Sequence, residues 1–382
     1  MFELYLDNSA TTEVSNEVLE SMLPYLKGKY GNPSSIHTKG KESLNAISEA
    51  RKSIADYFKC KPSNIIFTSG GSESNNLAIK GVARHLRKTK NKNHIITSMV
   101  EHHSVLNTCK ELEKEGFKVT YLKVNKKGQI DLKSLFDSIT DDTALVSIMW
   151  VNNETGHKQD LKEIYKICKS KNVLFHTDAV QSTHCTDFKD ITNYCDMFSL
   201  SGHKFHAPKG IGLLYMKYSI KLSPIINGGQ QERGLRAGTE NVASIVGLAT
   251  AVNNIKPISN HMKYVKCRIS DMLSEIQNAN QISFNFDDSP VINISFEGIE
   301  GESLVLLLDS KCIYISSGSA CTSGSLEPSH VIKALGYSDE IARGSIRISI
   351  ADNIFYTEED ICRIGNTIGR AVEILGGLTR NN

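Results

Sequence analysis

Four short stretches carry residue types that together suit work on a small molecule. Phe198-Ser199-Leu200-Ser201-Gly202-His203-Lys204-Phe205 runs from an expected strand (Cys195 to Leu200) into a Ser-Gly-His-Lys turn. A lone lysine after a strand is far more often a surface group than a reactive one. Three other stretches change those odds. His176-Thr177-Asp178-Ala179-Val180-Gln181 ends another strand with a carboxylate among apolar neighbours. A carboxylate at that place can pair with a protonated pyridine nitrogen, which keeps such a ring cationic and makes it an electron sink. Thr68-Ser69-Gly70-Gly71-Ser72-Glu73-Ser74-Asn75 joins a strand to a helix. Its glycines allow close backbone approach, and a helix N-terminus presents free N–H groups to a phosphate. Val100-Glu101-His102-His103-Ser104 follows a strand ending at Thr97 and offers a histidine that can stack on an aromatic ring. Any one of these is weak, since a Gly-Gly turn is usually only a turn and a lone histidine is usually structural.

The elements that must position these residues follow from hydropathy. Ile65-Ile66-Phe67-Thr68, His94-Ile95-Ile96-Thr97, Ala144 to Met149 and Val173 to Thr177 read as buried strands. Helical patterns lie between them. In one, Leu44, Ile47, Ile54 and Phe58 are spaced for one face. Buried strands alternating with helices predict an α/β fold with a mostly parallel sheet covered on both faces. Ligands then sit beyond the carboxyl ends of the strands. A helix over Ala243 to Val252 should close this unit, with Asn253 to Pro257 as a hinge. Beyond it the pattern is α+β: a helix from Ser259 to Gln277, a strand from Val291 to Phe296, a helix from Glu302, a strand near Ile346 to Ile350 and a last helix from Thr357. The expected division is a large domain over 13–255 and a smaller one built from 1–12 and 256–382.

Composition limits the classes of function. The 382 residues carry 44 basic and 42 acidic side chains, a net charge of +2. So even a balance gives no field for gripping nucleic acid or an anionic membrane. The N-terminus lacks a basic region followed by an apolar run, and no long uncharged apolar stretch occurs, so neither a signal peptide nor a membrane span is expected. Nine scattered cysteines without CxxC pairs or His/Cys clusters read as reduced thiols of a cytoplasmic protein, most of them small buried hydrophobes, and no metal site is expected.

The candidate residues recur in one order: phosphate loop, stacking histidine, Asn153, Asp178, Lys204. Further motifs join them: Tyr5-Leu6-Asp7-Asn8-Ser9-Ala10-Thr11-Thr12, Gly31-Asn32-Pro33-Ser34-Ser35, Asn152-Asn153-Glu154-Thr155-Gly156, Arg236-Ala237-Gly238-Thr239-Glu240-Asn241 and Ser316 to Gly324. In this order the set resembles the NifS/IscS-type cysteine desulfurases, in the class V aminotransferase branch of fold-type I pyridoxal-phosphate enzymes. The similarity runs over nearly the whole chain. It implies a sheet of the seven-stranded type and pyridoxal 5'-phosphate as cofactor. It also implies roles. Lys204 holds the cofactor covalently and shuttles protons. Asp178 meets the ring nitrogen and Gln181 the ring-hydroxyl side. His102 stacks on the ring and takes part in acid/base steps, and Asn153 lies near ring and substrate. Gly71, Ser72, Ser201 and His203 hold the phosphate, and Thr239 reaches the phosphate of a neighbouring subunit in a homodimer with shared sites. Arg347 binds the substrate carboxylate, a task that suits its bidentate fork.

Among the cysteines, Cys321 stands apart, with only Ser, Gly, Ala and Thr around it and no apolar anchor from Ser316 to Ser325. That composition predicts a mobile, exposed loop. Cys168 and Cys195 read as packing residues instead. The resemblance makes Cys321 the thiolate that attacks the sulfur of L-cysteine, releases L-alanine and keeps a persulfide for a protein sulfur acceptor. Such an acceptor serves iron–sulfur cluster assembly, tRNA thiolation or DNA phosphorothioation, with no direct contact to nucleic acid or membrane expected. Rival readings are a selenocysteine lyase or a related pyridoxal-phosphate transferase on the same scaffold. One departure stands out: after Ile350 the chain reads Ala351-Asp352-Asn353 where many relatives have Gly-Arg, which adds an acid close to the carboxylate-binding end.

Overall fold

The computed structural model describes residues 3–282, 289–318 and 327–380, with side chains as far as 377 in the last stretch. In chain order the elements are β1 (Leu4–Tyr5), α1 (Asn16–Leu26), α2 (Thr38–Tyr57), β2 (Ile65–Thr68), α3 (Gly71–Lys90), β3 (His94–Ser98), α4 (His103–Lys114), β4 (Lys118–Leu122), α5 (Leu132–Ser138), β5 (Thr143–Ser147), α6 (Leu161–Ser170), β6 (Leu174–Asp178), β7 (Met197–Ser201), β8 (Gly212–Met216) and α7 (Val242–Asn254). They continue with α8 (Asn260–Ser274), β9 (Ala279–Gln281), β10 (Val291–Phe296), α9 (Gly301–Asp309), β11 (Ile313–Tyr314), β12 (Ser316–Ser317), α10 (His330–Ala334), α11 (Asp339–Arg343), β13 (Ser345–Ser349) and α12 (Glu358–Arg380).

The central sheet has seven strands in the order β2-β8-β7-β6-β5-β3-β4. Neighbours among β7, β6, β5, β3 and β4 pair in parallel, and β8 runs antiparallel to both β2 and β7. Strand side chains alternate between faces, and β2 shows the result. Ile65 and Phe67 enter one apolar core, which also takes Val18, Ile47, Leu161 and Leu248 from α1, α2, α6 and α7. Ile66 enters another, beneath Leu77, Val82 and Val105 of α3 and α4. Helices therefore cover both faces, as the sequence pattern predicts.

A separate antiparallel sheet, β12-β13-β10-β9, packs under α8, α9 and α12 around a third apolar core. Leu4 and Leu6 belong to that core, and β1 pairs with β11. The chain thus begins in the second layer before entering the first. No described helix is long and apolar enough to cross a membrane.

Local expectations need three corrections. Leu44 is 48% exposed, whereas Ile47, Ile54 and Phe58 are buried. Leu44 lies on the edge of the same face, about 60° from Ile47, and that edge meets no part of the apolar core that takes Ile47 and Ile54. Asn253 and Asn254 belong to α7, so the break in helix begins at Ile255. Ser316 and Ser317 are not loop but strand β12, because the edge of β13 offers backbone partners at Arg347 and Ile346.

Candidate active site

The carboxyl ends of β2, β3, β5, β6 and β7 open on one edge of the sheet, and each continues into one of the stretches singled out above. Gly71, Ser72, His102, Asn153, Asp178, Gln181, Ser201, His203 and Lys204 line one cavity of about 580 Å³ there. Arg347 reaches the same cavity from β13 of the second sheet. Thr239 is exposed and does not line it. Cys321 lies outside the described residues.

One end of the cavity is built for an anion. Helix α3 begins at Gly71, and no side chain caps it, since its N-cap residue is Gly70. The N–H groups of an uncapped first turn face outward with the positive end of the helix dipole. A Cβ at Gly71 would come within 2.7 Å of Val180 Cγ2, and one at Gly212 within 2.6 Å of Gly70 Cα. Both glycines are what lets the turn fit against the strand ends. Lys204, Lys209 and His203 add cationic or donor groups around it. His203 is kept neutral: burial first, then the charges of Lys204 and Lys209, push its pKa down to about 4.

Asp178, on the cavity wall, is 5% exposed. Its Oδ1 accepts the Val180 N–H at 3.0 Å and its Oδ2 accepts Asn75 Nδ2 at 2.7 Å. Those two donors engage both carboxylate oxygens. Beside it, His102 N-caps α4 and its Nδ1 accepts the Ser104 N–H at 3.1 Å. A nitrogen that accepts cannot carry the proton, so neutral His102 has its N–H on Nε2. Burial lowers its pKa, with Lys204 and His103 acting the same way and Asp178 opposing. Lys204 Nζ donates to the carbonyls of Ser9 and Ala10 at 2.6 and 2.8 Å, and Gln181 Nε2 donates to Ser9 O at 2.8 Å. The turn at Ser9 and Ala10, after β1, thereby becomes one wall.

Arg347, 3% exposed, lines the cavity as well. Nη1 donates to Asn153 O at 3.1 Å and Nη2 to Asp7 Oδ1 at 2.8 Å, while Nε is buried without a hydrogen-bond partner. Arg347 thus brings a buried guanidinium charge to the cavity wall, the group type that binds a carboxylate. Beneath Asn153, Glu154 is pushed up to about 7 by burial and accepts the Ser329 hydroxyl. Burial pushes Glu101 up to about 8, and it accepts the Met149 N–H at 3.0 Å. Glu101, Glu154, Asn75 and Ser104 carry no assigned role in the sequence reading. Asn75 stood in a quoted motif, but nothing local announces that it faces Asp178.

The buried thiols are poor nucleophiles. Burial raises Cys168 and Cys109 to about 12 and Cys195 further still. Cys168 and Cys195 are packing residues as expected, whereas Cys362 on α12 is exposed. Asp352, the added acid after β13, does more than alter a surface loop. Its Oδ1 accepts His206 Nε2 at 2.7 Å, two residues from Lys204.

Residues 4–364 match the family described as aminotransferase class-V. A curated relative, cysteine desulfurase IscS of Methanosarcina thermophila, is 45% identical over 98% of this chain and 93% of its own. Among solved structures, a NifS-like protein matches with a TM-score of 0.89 at 37% identity, covering 98% of this chain and 100% of that one. A structure described as SspA in complex with cysteine matches at 0.79 and 39% identity, covering 91% and 98%.

Proposed function

The chain belongs to the aminotransferase class-V family, among its cysteine desulfurases, and from that premise we propose that the cavity takes pyridoxal 5'-phosphate and L-cysteine side by side. The observation that carries this reading is that Lys204, Asp178 and His102 line one cavity together with an uncapped helix start and the guanidinium of Arg347. The residues fit the cofactor: the Gly71 turn, Ser72, Ser201 and His203 for its phosphate, Asp178 for its ring nitrogen, Gln181 for its hydroxyl side, His102 and Asn153 for its ring. Bound there, it supplies an electron sink for the pair released at the substrate Cα.

The chain's own groups do the rest. Arg347, already braced by Asp7 and Asn153 O, binds the substrate carboxylate and orients the Cα–H toward Lys204. Lys204 would hold the cofactor covalently, and its amine moves the α-proton of the substrate. His102 presents its Nε2–H to the cavity as the acid/base partner. The Cys321 thiolate attacks the substrate sulfur, since the thiolate is the nucleophile. The new S–S bond forms as the substrate C–S bond breaks, the bonding pair goes to carbon, a proton joins it, and L-alanine leaves. Cys321 keeps the sulfur as a persulfide for a protein acceptor. The proposed assembly is a homodimer in which Thr239 serves the neighbouring subunit's phosphate. The proposed division of the chain is 13–255 against 1–12 with 256–382, supported by the membership of Leu4 and Leu6 in the second core.

Borohydride reduction followed by peptide mapping tests the cofactor assignment: the tag should fall on Lys204. Mass spectrometry after a single turnover with L-cysteine should find one added sulfur, removable by reductant, on the peptide carrying Cys321. A tag on another lysine, or sulfur on Cys312 or Cys185, would overturn these assignments.

A further inference from the structure

Asn75 sits in the second turn of α3, 1% exposed, at the wall of the cavity. Its Nδ2 donates to Asp178 Oδ2 at 2.7 Å and to Ser104 Oγ at 2.9 Å. The amide's orientation is forced: a carboxylate can only accept, so the NH₂ must face it. The second hydrogen of that NH₂ goes to Ser104 Oγ. Occupied as an acceptor, the Ser104 hydroxyl turns its own hydrogen toward His102 Nδ1, 2.8 Å away. The cost falls on Asn75 Oδ1, which is buried without a partner. A side chain that leaves one polar atom unsatisfied to make two donations is held there for those donations.

We propose that Asn75 is a positioning residue that ties Asp178 to His102 through Ser104, holding the carboxylate in place and keeping the imidazole neutral with its proton on Nε2. The inference rests on the proposed roles of Asp178 and His102. Its physical content is a sign. Without Asn75, the Ser104 hydroxyl is no longer held as a donor to Nδ1, so the neutral imidazole that accepts there loses support. Asp178 loses a donor that shares its charge, so its field on His102 strengthens. Both changes favour the imidazolium. The charged and titratable groups facing His102 are Asp178 on β6, Lys204 after β7, His103 on α4 and His330 at the start of α10. Only Asp178 among them is in hydrogen-bond contact with Asn75.

The test is the titration of His102 in the enzyme loaded with pyridoxal phosphate. Imidazole ¹⁵N NMR reads it, with the His102 signals assigned by their loss in His102→Gln. Wild type should show the Nε2–H pattern and a depressed pKa. Asn75→Ala and Ser104→Ala should each shift the titration upward. The double variant should shift no further than Asn75→Ala alone, because the two residues act in series. Alanine release should fall by roughly tenfold in Asn75→Ala, the loss of about one charge-assisted hydrogen bond. An unmoved titration in either variant, or additive shifts, would overturn the inference. If Asn75→Ala does not fold, Ser104→Ala decides alone, since it keeps the capping backbone N–H. Failure of the functional reading is seen separately, as wild type that carries no borohydride-reducible cofactor on Lys204.

Discussion

Asp178, Arg347 and His102 are each held by hydrogen bonds within the cavity wall. Asp178 accepts from Val180 and Asn75, Arg347 donates through both Nη atoms to Asn153 and Asp7, and His102 accepts at Nδ1 and so keeps its proton on Nε2. Replacing Asp178 by Asn should leave most cofactor binding while removing the charge that favours the ring cation. One ionic hydrogen bond is worth about 1.5–3 kcal/mol, which is roughly one to two factors of ten in turnover. Steady-state rates of alanine formation check this, and unchanged turnover would remove Asp178 from the ring nitrogen. Cys321→Ser should separate two half-functions. The variant should still bind L-cysteine, read as a change in the cofactor's absorption, because Lys204, Asp178 and Arg347 are intact. It should release almost no alanine, a hydroxyl being a far poorer nucleophile toward sulfur than a thiolate. Retention of full activity would require another sulfur carrier, a part for which the buried Cys109, Cys168 and Cys195 are unfit at neutral pH.

Between elements, the turn that carries Lys204 is held to the end of β13 by one charged pair. His206 Nδ1 faces the Glu13 carbonyl at 2.9 Å and Nε2 faces Asp352 at 2.7 Å. Both partners only accept, so both ring nitrogens donate and the imidazole is charged. Burial alone would lower its pKa, but the Asp352 hydrogen bond and charge, with Glu13, outweigh burial and raise it. Asp352 is likewise opposed by burial and lowered by His206 and His184. A raised histidine stabilises the fold fully below its unfolded pKa of about 6.5 and loses that contribution as pH rises through the folded value. A lowered aspartate contributes above its unfolded pKa of about 3.9 and loses it as pH falls through the folded value. The pair therefore acts between the two. Asp352→Asn should cost about 1 kcal/mol near pH 5–6 and much less above pH 9. Urea unfolding across that range reads it, and an equal loss at both ends would exclude the charged pair. The same contact shows how a departure in a loop sequence can act on the chemistry: it bears on the turn two residues from Lys204.

For the whole molecule, the exposed position of Thr239 outside its own cavity is what a shared site requires. Arg236, three residues earlier, donates to Glu73 in the first turn of α3 at 3.0 Å, which anchors that segment beside the phosphate end. Sedimentation should give a dimer, and Thr239→Ala should weaken cofactor retention without changing monomer stability. Co-expressed mixed dimers of Thr239→Ala and Lys204→Ala should regain one better site than either parent. No recovery would place Thr239 outside the partner's site. The sequence by itself picked out Gly71, Asp178 and Lys204, which the fold brings to one cavity, because a glycine turn, a strand-end carboxylate and a strand-end lysine each stand next to a recognisable local element. It determined the parallel α/β layer as well, through short apolar runs between amphipathic stretches. Tertiary structure alone decided which side chains support them. Asn75 and Asp178 are 103 residues apart, His206 and Asp352 146, and Asp7 and Arg347 340. No local pattern encodes such pairs, since hydrogen-bond direction is set only when distant strand ends meet at one edge of the sheet. Leu44 and Ser316 were misread for a related reason. A helix face and a strand edge are defined by what packs against them, and that neighbour is supplied by the fold.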